Sequence, residues 1–358
     1  MLRSLKGIPV RIVVTGARGK SSVTRLLHAG FTACGLVSYA RVTGVIPREL
    51  SPAGERPIRR TSPAHIREML WWMTQVPPET QALVVENSAV HPDLQRFAPD
   101  LVSPVLMVWT TLRTDHGEVW GPTREGAARA LLRGIPRGVP VAGGGELNIP
   151  RLLALFRAND NPLYTLSSGF LCPSHDAENL SLARLVLELC NSGIAPFSLD
   201  IGRAVRAMSE LPPDIADFRV LHSGTDELAA AFSANDTEST ARLFAETGWA
   251  PKETTLLYHH RPDRHARLEN FLPWIESRPW KKKLFTRTGR PVFFPKKTFS
   301  KKNIEWNDAI RDPSTFEAWW KGRGRVFACG NVAGWPIEFL YDRKKDSRYA
   351  LHFDAQEP

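Results

Sequence analysis

The run Val13-Val14-Thr15-Gly16-Ala17-Arg18-Gly19-Lys20-Ser21-Ser22 holds the residue types that a phosphate requires. Gly16 and Gly19 let the backbone turn tightly and lie against a ligand with no Cβ between them. Lys20 offers a compact ammonium for terminal phosphates, and Ser21 a hydroxyl for Mg²⁺. Ala17, Arg18 and Ser22 complete a loop whose amides can face an anion. The usual phosphate-loop pattern asks for a further glycine where this chain has Val14, so the motif is partial. Lys20 is also the only lysine between Lys6 and Lys252; all other fixed cations there are arginine. A general preference for arginine accounts for most of that pattern. The lysine that survives stands where a flexible point charge suits better than a planar fork.

Such a loop works only between a strand end and a helix start. Ile12, Val13 and Val14 read as a buried parallel strand, and Val23, Leu26 and Leu27 as one face of a helix. Further strands are expected at Ala82–Val85, ending at Glu86, at Val105–Trp109, ending near Thr110-Thr111, and at Val139–Ala142. Thr123 is placed to cap a helix through Leu132, and Ser62-Pro63 to open one through Gln75. Trp71 and Trp72 on that helix read as packing residues, and the arginine-rich stretch from Pro47 to Pro63 as a polar loop. Strands and helices alternating at this rhythm indicate a mostly parallel, doubly wound α/β sheet. Ligands in such sheets sit outside the carboxyl ends of the strands. The phosphate loop, Glu86 and Asp115-His116 all fall at such ends. Glu86 there is either a Mg²⁺ ligand or an exposed strand-end carboxylate, and His116 either a metal ligand or a capping or core residue.

Residues 177–191 and 199–209 read as helices, followed by the linker Leu211-Pro212-Pro213-Asp214. A second alternating unit follows, with strands near 218–221, 228–232, 254–258, 284–286 and 326–329 and helices over 237–247 and 264–275. The expected organisation is a nucleotide-binding domain over 1–213 and a smaller Rossmann-like α/β domain over 214–358. Of the 358 residues, 42% are hydrophobic and 23% charged, an ordinary globular balance. No apolar run is long enough for a membrane span and no signal peptide is visible, so a cytoplasmic protein is expected. Cys34, Cys172, Cys190 and Cys329 form no CxxC pair, which argues against a structural zinc or a disulfide framework. The net charge of +10 is concentrated late, at Lys281–Lys283, Lys296-Lys297 and Lys301-Lys302. A basic face of this kind either receives a polyanion or is simply solvated.

Taken together, these stretches resemble the ATPase domain of the Mur ligase superfamily. The residues that carry the resemblance are Thr15-Gly16-x-x-Gly19-Lys20-Ser21, Glu86, Thr111-x-x-x-Asp115-His116 and His175-Asp176-x-x-Asn179. Within it, 16–25, 85–95, 115–123, 231–240, Arg261-Pro262-Asp263-Arg264 and Gly330-Asn331 are similar to poly-γ-glutamate synthase ligase subunits of the CapB/PgsB type. The resemblance implies ATP and Mg²⁺, with Lys20, Glu86 and His116 catalytic, and Ser21, Glu86 and His116 holding metal. It implies nucleotide contacts from Gly16 to Ser22 and from Asn179, Asn235, Asp236, Arg261, Asp263 and Arg264, the last five on a second domain that closes over ATP. The chain departs from the pattern at Thr111, where an asparagine is expected, and at Thr237, where a proline is expected. It shows neither the membrane segment nor the N-terminal substrate domain that precede the loop in such proteins. The carbamylated lysine of many Mur ligases has no counterpart, because the first domain holds no lysine near its site other than Lys20.

The implied reaction is ATP-dependent amide formation. A glutamyl carboxylate takes the γ-phosphoryl group to form an acyl phosphate, and an amine then displaces phosphate. The implied partners are ATP, glutamate or a γ-glutamyl polymer acceptor, and membrane subunits of a capsule-type synthase, which would associate the chain with the membrane; a homo-oligomer is compatible. The alternatives are another acid–amino acid ligase of folylpolyglutamate synthase type, a nucleic-acid-associated P-loop NTPase, and a scaffold that binds ATP without turnover. The chain lacks recognisable helicase or RNA-binding motifs, which counts against nucleic acid.

Overall fold

The structure, a computed structural model, describes residues 5–58, 68–114, 117–166, 175–288 and 304–345. The chain divides into two compact units, Met1–Leu211 and Pro212–Pro358. In the first unit the strands are β1 (Val10–Thr15), β2 (Ser38–Val42), β3 (Arg48–Ser51), β4 (Gly54–Pro57), β5 (Ala82–Glu86), β6 (Leu106–Trp109), β7 (Val141–Gly143) and β8 (Leu163–Thr165). They form one eight-stranded sheet in the order β4-β3-β2-β5-β1-β6-β7-β8. From β2 to β8 every pairing is parallel, and β3 and β4 add an antiparallel edge. Its helices are α1 (Lys20–Ala33), α2 (Glu68–Gln75), α3 (Phe97–Val102), α4 (Gly117–Trp120), α5 (Arg124–Leu132), α6 (Pro150–Ala158), α7 (His175–Leu189) and α8 (Ile201–Ser209).

Alternation along the central strands builds two cores, because successive side chains leave a strand on opposite faces. Val10, Ile12 and Val14 of β1 join Ala82 and Val84 of β5 and Leu106 and Val108 of β6 beneath α1, α7 and α8. Val13, Leu83, Val85, Met107 and Trp109 face α2, α3, α5 and α6. Covered on both sides, these strands are continuous apolar runs, which is why they are readable in the sequence. Thr123 caps α5 by accepting from the Gly126 amide at 3.1 Å.

The stretch after Pro47 is not a loop. Residues 48–57 form the β3–β4 hairpin, whose charges are paired across the two strands, with Arg48 and Glu49 buried. Arg48 meets Glu55 at 2.9 Å and Arg25 meets the same carboxylate at 3.5 Å. On the other face Glu49 accepts from Arg56 at 2.5 Å and from the Trp72 indole at 2.7 Å, and Arg41 pairs with Glu68 at 3.2 Å. Trp72 is buried as expected, while Trp71 is 60% exposed. The expected helix start at Ser62-Pro63 lies outside the described residues.

The second unit holds β9 (Val220–Ser223), β10 (Asp226–Ala230), β11 (Thr254–His260), β12 (Lys282–Arg287), β13 (Ile304–Trp306) and β14 (Arg325–Cys329), with α9 (Thr237–Glu246), α10 (His265–Glu276), α11 (Pro313–Trp320) and α12 (Trp335–Lys345). The sheet order is β13-β12-β11-β14-β10-β9, parallel except for the edge strand β9. Ala229, Leu256, Tyr258, Phe285 and Phe327 pack one face against Leu243 and Phe244 of α9 and Leu268 and Phe271 of α10. Elsewhere Phe316 of α11 stacks on Trp335 of α12 at 4.5 Å and meets Phe339 edge-on at 4.8 Å. Helices α6, α11 and α12 and strands β8 and β13 were not anticipated from sequence. Among the described residues no helix is long and apolar enough to cross a membrane.

Candidate nucleotide site

The carboxyl ends of β5, β1 and β6 lie side by side, with Val14 level with Glu86 and Thr15 level with Trp109. The loop from Gly16 to Gly19 leaves β1 there and enters α1. Gly19 is the residue before that helix and sits in the left-handed region at φ 80°. A Cβ on Gly19 would lie 2.6 Å from the Asn179 Oδ1, so the α7 amide packs directly on the loop. A Cβ on Gly16, at φ 129°, would lie 2.3 Å from the Thr110 hydroxyl. Both glycines are therefore required by left-handed backbone and by close approach. The first amides of α1 have no partners further back in the helix and form the anion-attracting end of its dipole.

The side chains converge as the motif requires. The Lys20 ammonium lies over its own loop, donating to the Gly16 carbonyl at 2.7 Å and the Ala17 carbonyl at 3.3 Å. Glu86 is 4% exposed, so it is not an exposed strand-end carboxylate. Its Oε2 accepts from the Ser21 hydroxyl at 2.8 Å and from the Thr43 amide at 2.7 Å. No hydrogen bond to the other oxygen, Oε1, occurs among the described residues. One unengaged carboxylate oxygen beside a serine hydroxyl at the mouth of a phosphate loop fits a hard divalent cation. Among the described residues no three His, Cys, Asp or Glu side chains gather into a metal site. His116 and Asp115 lie outside the described residues.

The segment after Glu86 fixes that carboxylate. Asn87 donates from its amide nitrogen to the Gln95 carbonyl at 3.0 Å, and the Asn87 Oδ1 accepts from the Ala89 amide at 3.1 Å. Gln95 donates in turn to the Ala89 carbonyl at 2.7 Å, and the Trp120 indole to the Val90 carbonyl at 2.7 Å. These polar residues lock a turn.

In the second unit the expected residues also cluster at strand ends. Asp236 caps α9, its Oδ1 accepting from the Ser239 amide at 2.7 Å. Asn235 accepts from Arg267 at 3.1 Å, and Arg267 also reaches the Gly330 carbonyl at 3.4 Å. Arg261 makes a two-pronged pair with Asp263, both bonds at 2.7 Å, which lowers the Asp263 pKa below the ordinary carboxylate range. Arg264 precedes α10. Sequence reasoning missed Arg267 and gave Asn331 no role. Asn331 is buried; its Oδ1 accepts from the Ala333 amide at 2.9 Å, and its Nδ2 finds no hydrogen-bond partner among the described residues. Its position directly after Gly330, at the end of the central strand β14, was the available signal.

His259 clamps the same turn. Its Nε2 lies 3.0 Å from the Ala333 carbonyl and its Nδ1 2.8 Å from the Thr286 hydroxyl, so the ring donates to the first and accepts from the second. Burial pushes its pKa down to about 4, as it does for His28 of α1, 3.0 Å from the Ser38 hydroxyl. Both rings are neutral when folded but protonate near the ordinary value of 6.5 when unfolded. Their contribution is therefore complete above pH 6.5 and is lost as pH falls toward 4. Each accounts for up to about 3 kcal/mol over that window. Urea unfolding at pH 7.0 and 4.5 should show the loss in both units, and His259→Asn should flatten the dependence in the second.

Comparison with known proteins finds relatives of both units. Residues 218–344 match the family model of the poly-gamma-glutamate synthase CapB C-terminal domain. PGA synthase CapB of Bacillus subtilis is 27% identical over 302 residues, 77% of this chain and 74% of that protein. Capsule biosynthesis protein CapB of Bacillus anthracis is 29% identical over 301 residues, 77% of this chain but 63% of its own length. Among solved structures, E. coli FolC in complex with ADP superposes with a TM-score of 0.68 at 16% identity, covering 96% of this chain and 91% of that one. The second unit thus resembles the poly-γ-glutamate synthase CapB C-terminal domain, most of the chain is similar to the CapB proteins, and its fold is that of solved folylpolyglutamate synthases.

Proposed function

We propose that this chain is an ATP-dependent amide ligase that activates a glutamyl carboxylate as an acyl phosphate and joins it to an amino group, in the synthesis of poly-γ-glutamate. The observation that carries the reading is the Lys20–Ser21–Glu86 arrangement at adjacent strand ends. The similarity to the CapB proteins along most of the chain supplies the substrate class.

In this reading the α1 amides and Lys20 hold the phosphates of ATP. Phosphoryl transfer needs positioning and charge neutralisation more than covalent help, and these groups provide both. Ser21 and Glu86 would hold Mg²⁺, which supplies charge neutralisation on the phosphates. His116 would serve the same ion or a second one, and Asn179 would lie along the nucleotide beside Gly19. In the second unit the Asn331 amide and Arg267 are donors suited to a carboxylate of the incoming amino acid. Asn235, Asp236, Arg261, Asp263 and Arg264 form the strand-end surface around them.

The test is ADP release from ATP with single acidic amino acids and with short γ-glutamyl peptides. Release should depend on a γ-glutamyl acceptor, with a peptide bond formed for each ADP. Acceptor-independent ADP release would instead support the ATP-binding scaffold or NTPase reading, and a preference for a pteroyl acceptor would support a folylpolyglutamate synthase.

A further inference from the structure

Position 111 holds threonine where the resemblance leads one to expect a metal-side asparagine, and the structure gives that threonine a different task. The Thr111 hydroxyl accepts from the Arg18 amide at 2.9 Å and lies 3.3 Å from the Arg18 carbonyl, to which it can donate. The Thr111 carbonyl accepts from the Ala17 amide at 3.0 Å. Thr110 reinforces the contact: its hydroxyl reaches the Thr15 carbonyl at 3.2 Å and the Arg18 carbonyl, and its amide donates to the Thr15 carbonyl at 2.9 Å. The end of β6 thus grips both sides of the turn that runs through Gly16 and Ala17. The grip is itself anchored, since Glu146 accepts from the Leu112 amide at 3.3 Å and pairs with Arg113 at 3.0 Å.

Two consequences follow from hydrogen-bond capacity. A hydroxyl has one proton and two lone pairs, and Thr111 directs its proton and one lone pair at the backbone on either side of the Arg18 Cα. The Ala17 and Arg18 amides, meanwhile, point at Thr111 and are withdrawn from any ligand. We infer that Thr111 is a positioning residue for the triphosphate: it holds the two peptides flanking Arg18 in one arrangement and leaves phosphate recognition to Lys20 and the amides that open α1. This rests on the nucleotide site proposed above but not on the identity of the acceptor.

The experiment measures ATP affinity directly, by equilibrium titration with Mg²⁺-ATP and no acceptor, alongside KM and kcat. Thr111→Val keeps the shape and removes the hydroxyl, so ATP affinity should weaken about five- to tenfold, the effect of losing one or two hydrogen bonds. KM for ATP should rise by a similar factor with kcat altered less than about threefold, and Thr111→Ser should recover most of the affinity. Thr111→Asn should bind ATP no better than Thr111→Val, because the longer amide cannot keep both contacts with the Arg18 backbone. Parental ATP affinity in Thr111→Val would overturn the inference. So would a defect that vanishes at high Mg²⁺, or tighter Mg²⁺-dependent binding in Thr111→Asn, since either would make position 111 a metal-side group. Melting of the nucleotide-free variants separates misfolding from loss of positioning. ATP binding without acceptor-dependent turnover in the parent would count against the ligase reading alone.

Discussion

Lys20→Ala should lower ATP-dependent turnover by about two to three orders of magnitude while leaving the nucleotide-free melting temperature close to the parent's. The ammonium donates to the carbonyls of its own loop, Gly16 and Ala17, and these are exchangeable, part-buried contacts that the fold can lose at small cost. Catalysis loses the point charge over the terminal phosphates, and removal of a single preorganised donor from such a site typically lowers turnover a hundred- to a thousandfold. Lys20→Arg should restore little, because a planar guanidinium is too broad for a turn in which Gly16 and Gly19 already leave no room for a methyl group. The measurement is single-turnover ADP formation at saturating ATP, paired with thermal melting. Turnover within about threefold of the parent in both variants would show that the loop does not bind the reacting phosphates.

Glu86→Gln carries the second large effect, and its sign follows from which oxygen is engaged. Only Oε2 accepts from Ser21 and Thr43. A glutamine can set its carbonyl oxygen there and keep both bonds, so the sheet and the β2 connection should remain intact. Its NH₂ then stands where Oε1 was, presenting donors instead of a negative acceptor to a cation. The Mg²⁺ concentration for half-maximal activity should rise at least about tenfold, with turnover reduced about a hundredfold at ordinary Mg²⁺. Glu86→Ala should be less stable as well, since it strands the part-buried Thr43 amide. The two variants therefore separate the metal role from the structural one. Equal melting temperatures with equal Mg²⁺ requirements in parent and Glu86→Gln would remove Glu86 from the metal site.

The lines of chemistry in this chain are local in sequence, which is why so much of the first unit could be read before folding was considered. Glycine where backbone must turn left-handed, β-branched runs where a strand is covered on both faces, and Thr123 ahead of a helix are each dictated by neighbours within a few residues. The strands ending at Thr15, Glu86 and Trp109 follow from that local code, and so does their convergence, because parallel strands joined by helices must bring like ends together.

What only the tertiary structure decided are the pairings between distant polar groups. The Arg48–Glu55 and Arg56–Glu49 pairs turn an apparently solvated stretch into the edge of the sheet, and nothing in a run of alternating charges announces that a tryptophan from α2 will bond to Glu49. Asn87 and Gln95 lie in a stretch that the resemblance covers without giving them a task, and the structure shows them locking the turn after Glu86. Thr111, a departure from the expected pattern, proves to grip the phosphate loop across a sequence separation of 93 residues. The sequence by itself determined where the strands end and which residue types meet a phosphate, because backbone conformation and burial are set by short-range sterics and periodicity. Which lone pair faces which N–H, and so which residues bind the ligand and which hold the binders in place, was decided by contacts between segments far apart in the chain. A hydrogen bond is satisfied by geometry in space, and the residue type alone leaves its partner open.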